Sequence, residues 1–513
     1  MTTRQPRRFP LHLALALLAL CHAAAAWAEP AKIGLSEVAQ RMGKHVWMAT
    51  GSALPSNFVP MMRKAAVARE GRTNVYYMST FATKQNFEPE VTDKWHPNLF
   101  FVSSQNRDAA KNGNATLHRK SLFTLAKEIR AGKYPFDTVV VRVSPPDKDG
   151  MVSFGSAGDL TMMAVEQVRA HGGQVIAEVN PNVAHTHGNR MKYDDLSAVI
   201  DGTSILSEHN GLEAGDGEKQ IAKNIARLVP NRAKSTIQVG IGNSLTGVGE
   251  ALKGKRNMAI WSEMGSDWVR PLMSGDKPIV KEGVFSFLHG TNALYGLASN
   301  NPKIRMASTE EVNDPAIIAG KTRIRAINTA LEVDLTGNVN AERIGDRIIS
   351  FPGGQPDFMK GASDSKNGLA IMALRSRNKD GGSTIVPKLN SDVVTTPKNN
   401  VDHVVTEWGT TRKLRGLSDS DRTFEMLLVT HPALRVDLAK DALGKGIITQ
   451  ARYEKLARSV FHSIRMAPDS MRRAAADEAL ARQLVTAEQH RTLVAGLPEI
   501  AVAAEVPAVA VAQ

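Results

Sequence analysis

Cysteine is all but missing from this chain: Cys21 is the only one in 513 residues. Thiolate catalysis, cysteine metal sites and a disulfide framework are therefore excluded for everything that follows it. Aromatic residues make up only 5%, and no stretch resembles a nucleic-acid-binding motif, so nucleic acid is not an expected partner. No Walker loop is present, and the full dinucleotide fingerprint is absent too. The one long apolar run, Leu13–Leu20, is short for a membrane span and has His12 and His22 at its edges.

That run has another reading. Arg4, Arg7 and Arg8 precede it, and Ala26-Trp27-Ala28 follows as a small-x-small cleavage pattern before Glu29-Pro30. Residues 1–28 are thus expected to be a secretory signal peptide, which implies export, to the periplasm in a bacterium. If the segment does not work as a signal, the protein is cytoplasmic; an uncleaved anchor is the other alternative. The large residue before Cys21 argues against a lipoprotein site. The signal carries three arginines and no acids, so cleavage lowers the net charge from +13 to +10. A solvated basic surface accounts for that excess.

Hydrophobic and charged contents of 42% and 22% describe a soluble globular chain, long enough for two or three domains. Strand and helix signals alternate. Ser36–Met42 reads as helix, Val46–Ala49, Asn74–Met78 and Leu99–Ser103 as strands, Ser121–Arg130 as helix, and Thr138–Val143 as a buried strand. Helix Leu160–Ala170 and strand Gln174–Val179 continue the series, which predicts a mostly parallel sheet covered by helices. A second series starts near Gln220, with helix Ile221–Leu228 and strands at Thr236 and Met258. The expected division is 29–215 and 216–442. From Leu443 the pattern becomes arginine- and alanine-rich amphipathic helix, Ile448–Met466 and Ser470–Ala495, ending in an Ala/Val tail; 443–513 is read as a helical extension with a disordered end.

Two stretches of the second series could carry chemistry. Thr236-Ile-Gln-Val-Gly-Ile-Gly242 is a buried strand ending in glycines and followed by Asn243 and Ser244, a turn whose amides could approach an anion. A plain packing turn explains it as well. Met258-Ala-Ile-Trp261 reads as a buried strand with Glu263 at its end and a turn at Gly265-Ser266-Asp267. Strand ends are where open α/β sheets place their sites, although a solvated or capping acid is the ordinary alternative. His185 and His187 form a His-x-His pair without a third ligand nearby, which reads as a structural loop.

Further motifs stand in a fixed order: Val143-Ser-Pro-Pro-Asp-Lys-Asp-Gly150, Ser153-Phe-Gly155, Ile176-Ala-Glu-Val-Asn-Pro-Asn182 and Thr186-His-Gly188. After the two stretches above come Asn313-Asp-Pro315, Ile327-Asn-Thr-Ala-Leu-Glu-Val-Asp-Leu-Thr-Gly337, Gly353-Gly-Gln-Pro-Asp-Phe358 and Val404-Val-Thr-Glu-Trp-Gly409. In this order and spacing they resemble the acetyl-CoA hydrolase/transferase family, class I CoA-transferases, most closely the 4-hydroxybutyrate CoA-transferase type, over roughly residues 33–440. The resemblance implies two similar open α/β domains with the active site between them, and a homodimer. It implies no permanently bound cofactor and no metal, with an acyl-CoA thioester and a small carboxylic acid as substrates. It makes Glu263 the nucleophile that passes through a glutamyl-CoA thioester, with ping-pong kinetics. The oxyanion amides fall to Gly353 and Gly354, and CoA contact to Gly240, Ile241, Gly242, Asn243 and Ser244. Val333 is a further expectation for the pantetheine path and Lys379 for a CoA phosphate.

Two positions depart from the family pattern. Trp268 follows Asp267 where glycine is usual, and Pro356 follows Gln355 where a β-branched residue is usual; bulk there could narrow or block an acyl pocket. Export would also separate the enzyme from cytoplasmic CoA. The competing expectation is therefore an exported acyl- or carboxylate-binding protein that keeps the fold without turnover.

Overall fold

The computed structural model describes residues 29–49, 51–55, 71–78, 87–209 and 211–497. The signal-peptide reading and the tail beyond 497 lie outside the described residues.

Two eight-stranded sheets organise the chain. Across the first, the order is Ala31–Lys32, Ala198–Asp201, Gln174–Val179, Thr138–Val143, His45–Met48, Thr73–Tyr77, Trp95–Leu99 and Thr116–Leu117, and every pairing is parallel. Across the second it is Gly409–Thr410, His403–Thr406, Leu369–Ala373, Arg325–Thr329, Ser235–Val239, Met258–Gly265, Val280–Leu288 and Ile304–Met306. Only the edge strand Gly409–Thr410 runs antiparallel. In both sheets a central strand has its next three strands on one side and the later ones on the other, so the second domain repeats the winding of the first.

Both faces of each sheet are buried, as parallel sheets require. In the first, Trp47, Val139, Val141 and Val143 pack under helices Leu122–Arg130 and Leu160–Ala170, while Val46, Met48, Val140 and Ile176 face the opposite core. The same alternation divides Ile237, Ile260 and Ile327 from Trp261, Ala326 and Met372 in the second sheet.

Several boundaries differ from the sequence reading. The third strand is Trp95–Leu99 rather than Leu99–Ser103, because Pro97 and the polar His96 and Asn98 disguise it. Ser470–Ala495 is two helices, Asp469–Ala481 and Ala487–Val494. Gln483 takes a left-handed φ of 58°, and Thr486 with Gln489 forms a capping box that starts the next helix. The helical extension is not free-standing: Val460, Ile464, Ala476 and Leu493 form a small core that includes Trp408 and Val436 of the second domain.

The motifs after Thr138–Val143 join the domains. Gly158 N donates to Ser286 O and Leu288 N to Ser156 O, each at 2.8 Å, and Met306 N donates to His187 O at 2.8 Å. Beneath that seam, Thr186 Oγ1 donates to Asn189 Oδ1 at 2.7 Å, and Asn189 Nδ2 donates to the carbonyls of Gly155 and Ala157 at 2.8 Å each. Met264 and Phe287 of the second domain complete the first domain's core, so the two units share apolar contact as well as hydrogen bonds. Among the described residues no cluster of three His, Asp or Glu is placed to hold a metal, and no helix is long and apolar enough to cross a membrane.

Candidate active site

The strand carrying Glu263 is longer than its apolar run suggests. It extends to Gly265 because Val280–Leu288 pairs with it that far, Gly265 opposite Leu288. Glu263 therefore lies within the strand, on the same face as Trp261, where side chains two apart point the same way. Trp261 is buried, and its indole N–H donates to Val312 O at 2.9 Å. The next residue, Asn313, is fully buried, and its Nδ2 donates to Glu263 Oε2 at 2.8 Å.

The glycine pair closes the site from the other side. Gly353 has a φ of +56°, a conformation in which a side chain is strained. At Gly354 an added Cβ would overlap both Glu263 Oε2 and Asn313 Nδ2, so the backbone can come this close only without a side chain. The Gly354 backbone lies against the Glu263 carboxylate, and its amide favours the charged form. Helix Gln355–Asp364 begins immediately afterwards; Pro356 occupies its first turn, where its missing N–H leaves no helix bond unmade.

The first domain holds this turn in place. Helix Leu122–Arg130 has unpaired amides at its start. Leu122 N donates to Gly353 O at 3.1 Å and Phe123 N to Asp357 Oδ2 at 3.0 Å. Arg119 forms a two-point pair with the buried Glu342 at 2.5 and 2.9 Å, and Arg107 donates to Ile349 O at 2.9 Å. The Phe101 ring lies against Gly353, 3.4 Å from where its Cβ would be.

Burial raises the Glu263 carboxyl from the ordinary 4.5 to about 7, opposed by the Asn313 hydrogen bond, assisted by the negative charge of Asp357, then opposed by the Gly354 amide, with a further upward push from Asp159. Burial likewise raises Asp357 to about 7, against the Phe123 amide, Ser121, Asn313 and the Lys127 charge. Near neutrality the site thus holds a carboxylate that is easily both ionised and neutral, in contact with two hydrogen-bond donors.

A cleft of about 1090 Å³ adjoins it, lined by Gly240, Ile241, Gly242 and Asn243, with Phe101, Met264, Trp268 and His289. Gly240 N donates to Ile327 O at 2.8 Å, Gly242 has a φ of +147°, and Ile241 is 55% exposed. Ser244 follows in the short helical turn Asn243–Leu245. Phe101 lines the cleft and lies against Gly353, and Gly353 and Gly354 sit against the Glu263 carboxylate, so the structure brings Glu263, Gly353 and Gly354 together behind the Phe101 wall of the cleft that holds the Gly240–Asn243 turn, with Met264 on the opposite face of the Glu263 strand lining the cleft itself. It does not bring Val333 or Lys379 to the cleft. Val333, the middle residue of strand Glu332–Asp334, is fully buried in the core, and Lys379 stands exposed on the turn before Gly381. Trp268 is buried in the second domain's core, its backbone packed on Gly249, with one edge on the cleft.

Sequence reasoning gave no role to Asn313, Asp357, Trp261 or Phe101. The Asn313-Asp-Pro315 and Gly353-to-Phe358 motifs held the signal for the first two. Asn313 meets a strand fifty residues away and Asp357 meets a helix of the other domain, contacts that local sequence does not display.

Solved structures share this two-domain α/β fold. A 4-hydroxybutyrate CoA-transferase from Porphyromonas gingivalis superposes with a TM-score of 0.68 at 28% identity, over 81% of this chain and 98% of that one. RipA from Yersinia pestis superposes at 0.74 and 25% identity, over 82% and 99%. In sequence, a 4-hydroxybutyrate coenzyme A transferase from Clostridium kluyveri is 36% identical over 67% of this chain and 81% of its own length. A succinyl-CoA:cyclohexane-1-carboxylate CoA transferase from Geobacter metallireducens is 31% identical over 67% and 79%. The acetyl-CoA hydrolase/transferase C-terminal domain matches residues 290–442. The chain belongs to the acetyl-CoA hydrolase/transferase family, and its class is that of the CoA-transferases.

Proposed function

We propose that this protein transfers CoA between an acyl-CoA and a small carboxylic acid through covalent intermediates on Glu263. The observation that carries the reading is the contact of Glu263 with Asn313 Nδ2 and the Gly354 amide. The Glu263 carboxylate attacks the thioester carbonyl; the C–S bond breaks, and an acyl-glutamyl anhydride and CoA thiolate result. The thiolate then attacks the glutamyl carbonyl carbon, the anhydride C–O bond breaks, and the first carboxylate leaves a glutamyl-CoA thioester. An acceptor carboxylate reverses both steps and regenerates Glu263.

In the second step the developing oxyanion is one of Glu263's own oxygens. Asn313 already donates to that carboxylate and the Gly354 amide lies against it, so the charge is met by donors in place, the most effective form of such stabilisation. The adjoining Gly353 turn supports the same role, and the Gly240–Ser244 turn accepts part of the CoA moiety. CoA enters as substrate, with no cofactor held between turnovers. Relatives named for several different carboxylates support a small carboxylic acid as acceptor. Water in place of the acceptor would give acyl-CoA hydrolysis, and the excess of either product over the other separates the two.

The test is intact-mass measurement after incubation with butyryl-CoA, with and without borohydride. A CoA adduct on the wild type that is lost in Glu263→Ala supports the reading; no adduct with acetyl-, butyryl- or succinyl-CoA sinks it and favours the binding-protein alternative. We further propose that residues 1–28 direct export and are removed after Ala28, and that the mature protein is a homodimer. N-terminal mass spectrometry of the native protein and light scattering test these two points.

A further inference from the structure

Asp357 has an ordinary explanation as an acid in the first turn of helix Gln355–Asp364, where it would meet the positive end of the helix. An acid doing only that would be solvated. Asp357 is instead 5% exposed and reaches out of its own domain: its Oδ2 accepts from Phe123 N at 3.0 Å, at the start of helix Leu122–Arg130. Ser121, just before that helix, and Asn313 support its charge from beside it, and Lys127 acts from one turn further along. The carboxylate therefore lies at the starts of two helices from two domains, while sharing Asn313 with Glu263.

Asn313 can offer only two amide hydrogens. One goes to Glu263 Oε2 at 2.8 Å, Asp357 lies near enough for the amide to favour its charged form, and the Asn313 Oδ1 is buried without a hydrogen-bond partner. The amide's orientation is thus set by the two carboxylates between which it lies.

We infer that Asp357 is a positioning residue for the covalent chemistry: buried and held by the first domain's helix start, it orients Asn313 toward Glu263. The inference rests on the reading of Glu263 as nucleophile. A glutamate repelled by a neighbouring charge gains when it becomes a neutral anhydride or thioester, so the repulsion favours the acylated enzyme over the free carboxylate. The charged groups facing Glu263 are Asp357 and Asp159, and the cation facing Asp357 is Lys127. The two carboxyls titrate as a pair with shared apparent values.

The experiment compares Asp357→Asn with the wild type in the full-length enzyme, reading the pH profile of kcat/KM with butyryl-CoA alongside thermal unfolding. Removing the charge is expected to move the acid limb down by about 1 pH unit, and to lower kcat at pH 8 at least tenfold with KM for butyryl-CoA within about threefold. Asp357→Glu, which keeps the charge, retains an acid limb within about 0.3 unit of the wild type. Ser121→Ala removes support for the Asp357 charge without touching Glu263, and shifts the limb in the same direction as Asp357→Asn by less; it serves if Asp357→Asn does not fold. An acid limb and kcat unchanged in a folded Asp357→Asn enzyme, or, where that variant does not fold, a limb unmoved in Ser121→Ala, would overturn the inference. A wild type that forms no adduct at Glu263 overturns the functional reading instead, so the two failures are distinguishable.

Discussion

Trp261 and Val312 are joined by a hydrogen bond of 2.9 Å from the indole N–H to the carbonyl oxygen, and the residue after Val312 is the one that holds Glu263. Strand and active-site amide are thereby fastened together by an aromatic side chain two residues from the nucleophile. Lys321 covers the outer face of the indole, 3.1 Å from the ring centroid.

Trp261→Phe keeps the ring and removes the donor. The buried Val312 carbonyl then lacks its partner, at a cost of about 1–3 kcal/mol in stability. Because Asn313 loses its reference point, kcat should fall by roughly tenfold with little change in KM, as small misplacements at a reacting centre act on rate. Thermal unfolding and steady-state kinetics on one preparation check both parts.

Gly354→Ala places a methyl where Glu263 Oε2 and Asn313 Nδ2 now sit. Glu263 must turn away from its donors, and kcat should drop by roughly 10²–10³, the usual loss when an oxyanion donor is removed. Unchanged adduct formation in this variant would contradict the assignment of the glycine pair.

The carboxyl shift also has a consequence for stability. Glu263 goes from the ordinary 4.5 to about 7 on folding, so between those values the native state keeps a proton that the unfolded chain releases. The favourable contribution is complete below pH 4.5 and is lost as pH rises to about 7. The shift of about 2.5 units corresponds to roughly 3 kcal/mol at 1.36 kcal/mol per unit. Glu263→Gln, which cannot ionise, should therefore melt higher than the wild type at pH 8 and about level with it at pH 4.5, measured by calorimetry at both values. Activity of the wild type should rise through about pH 7 as the nucleophile ionises.

Arg435 is fully buried, and its partners are neutral: the hydroxyls of Ser459 and Ser463 at 2.7 and 2.8 Å, and the carbonyls of Leu428 and Thr430 at 2.8 and 3.1 Å. Both serines belong to helix Gln450–Arg465, so the C-terminal extension completes the solvation of a charge inside the second domain. Deleting residues 445–497 should destabilise the protein by about 3 kcal/mol or more, since a buried charge loses partners and the core loses Leu456. Arg435→Leu should be destabilising by less, because it also removes the charge. Denaturant unfolding compares the two.

The alternation of β-branched runs and amphipathic helices was sufficient to predict two parallel-sheet domains, because each element's burial pattern is written in its own residues. The strand-end glutamate and the glycine turns were visible for the same reason: glycine marks conformations that other residues resist, and an acid inside an apolar strand is out of place. Tertiary structure alone decided what those residues meet. The amides of Leu122 and Phe123, over two hundred residues from Gly353 and Asp357, complete the site, and Arg435 finds its hydroxyls in a helix beyond the family match. Such contacts depend on how separately folded faces come together, and hydrogen bonds between distant segments leave no local periodicity in the chain.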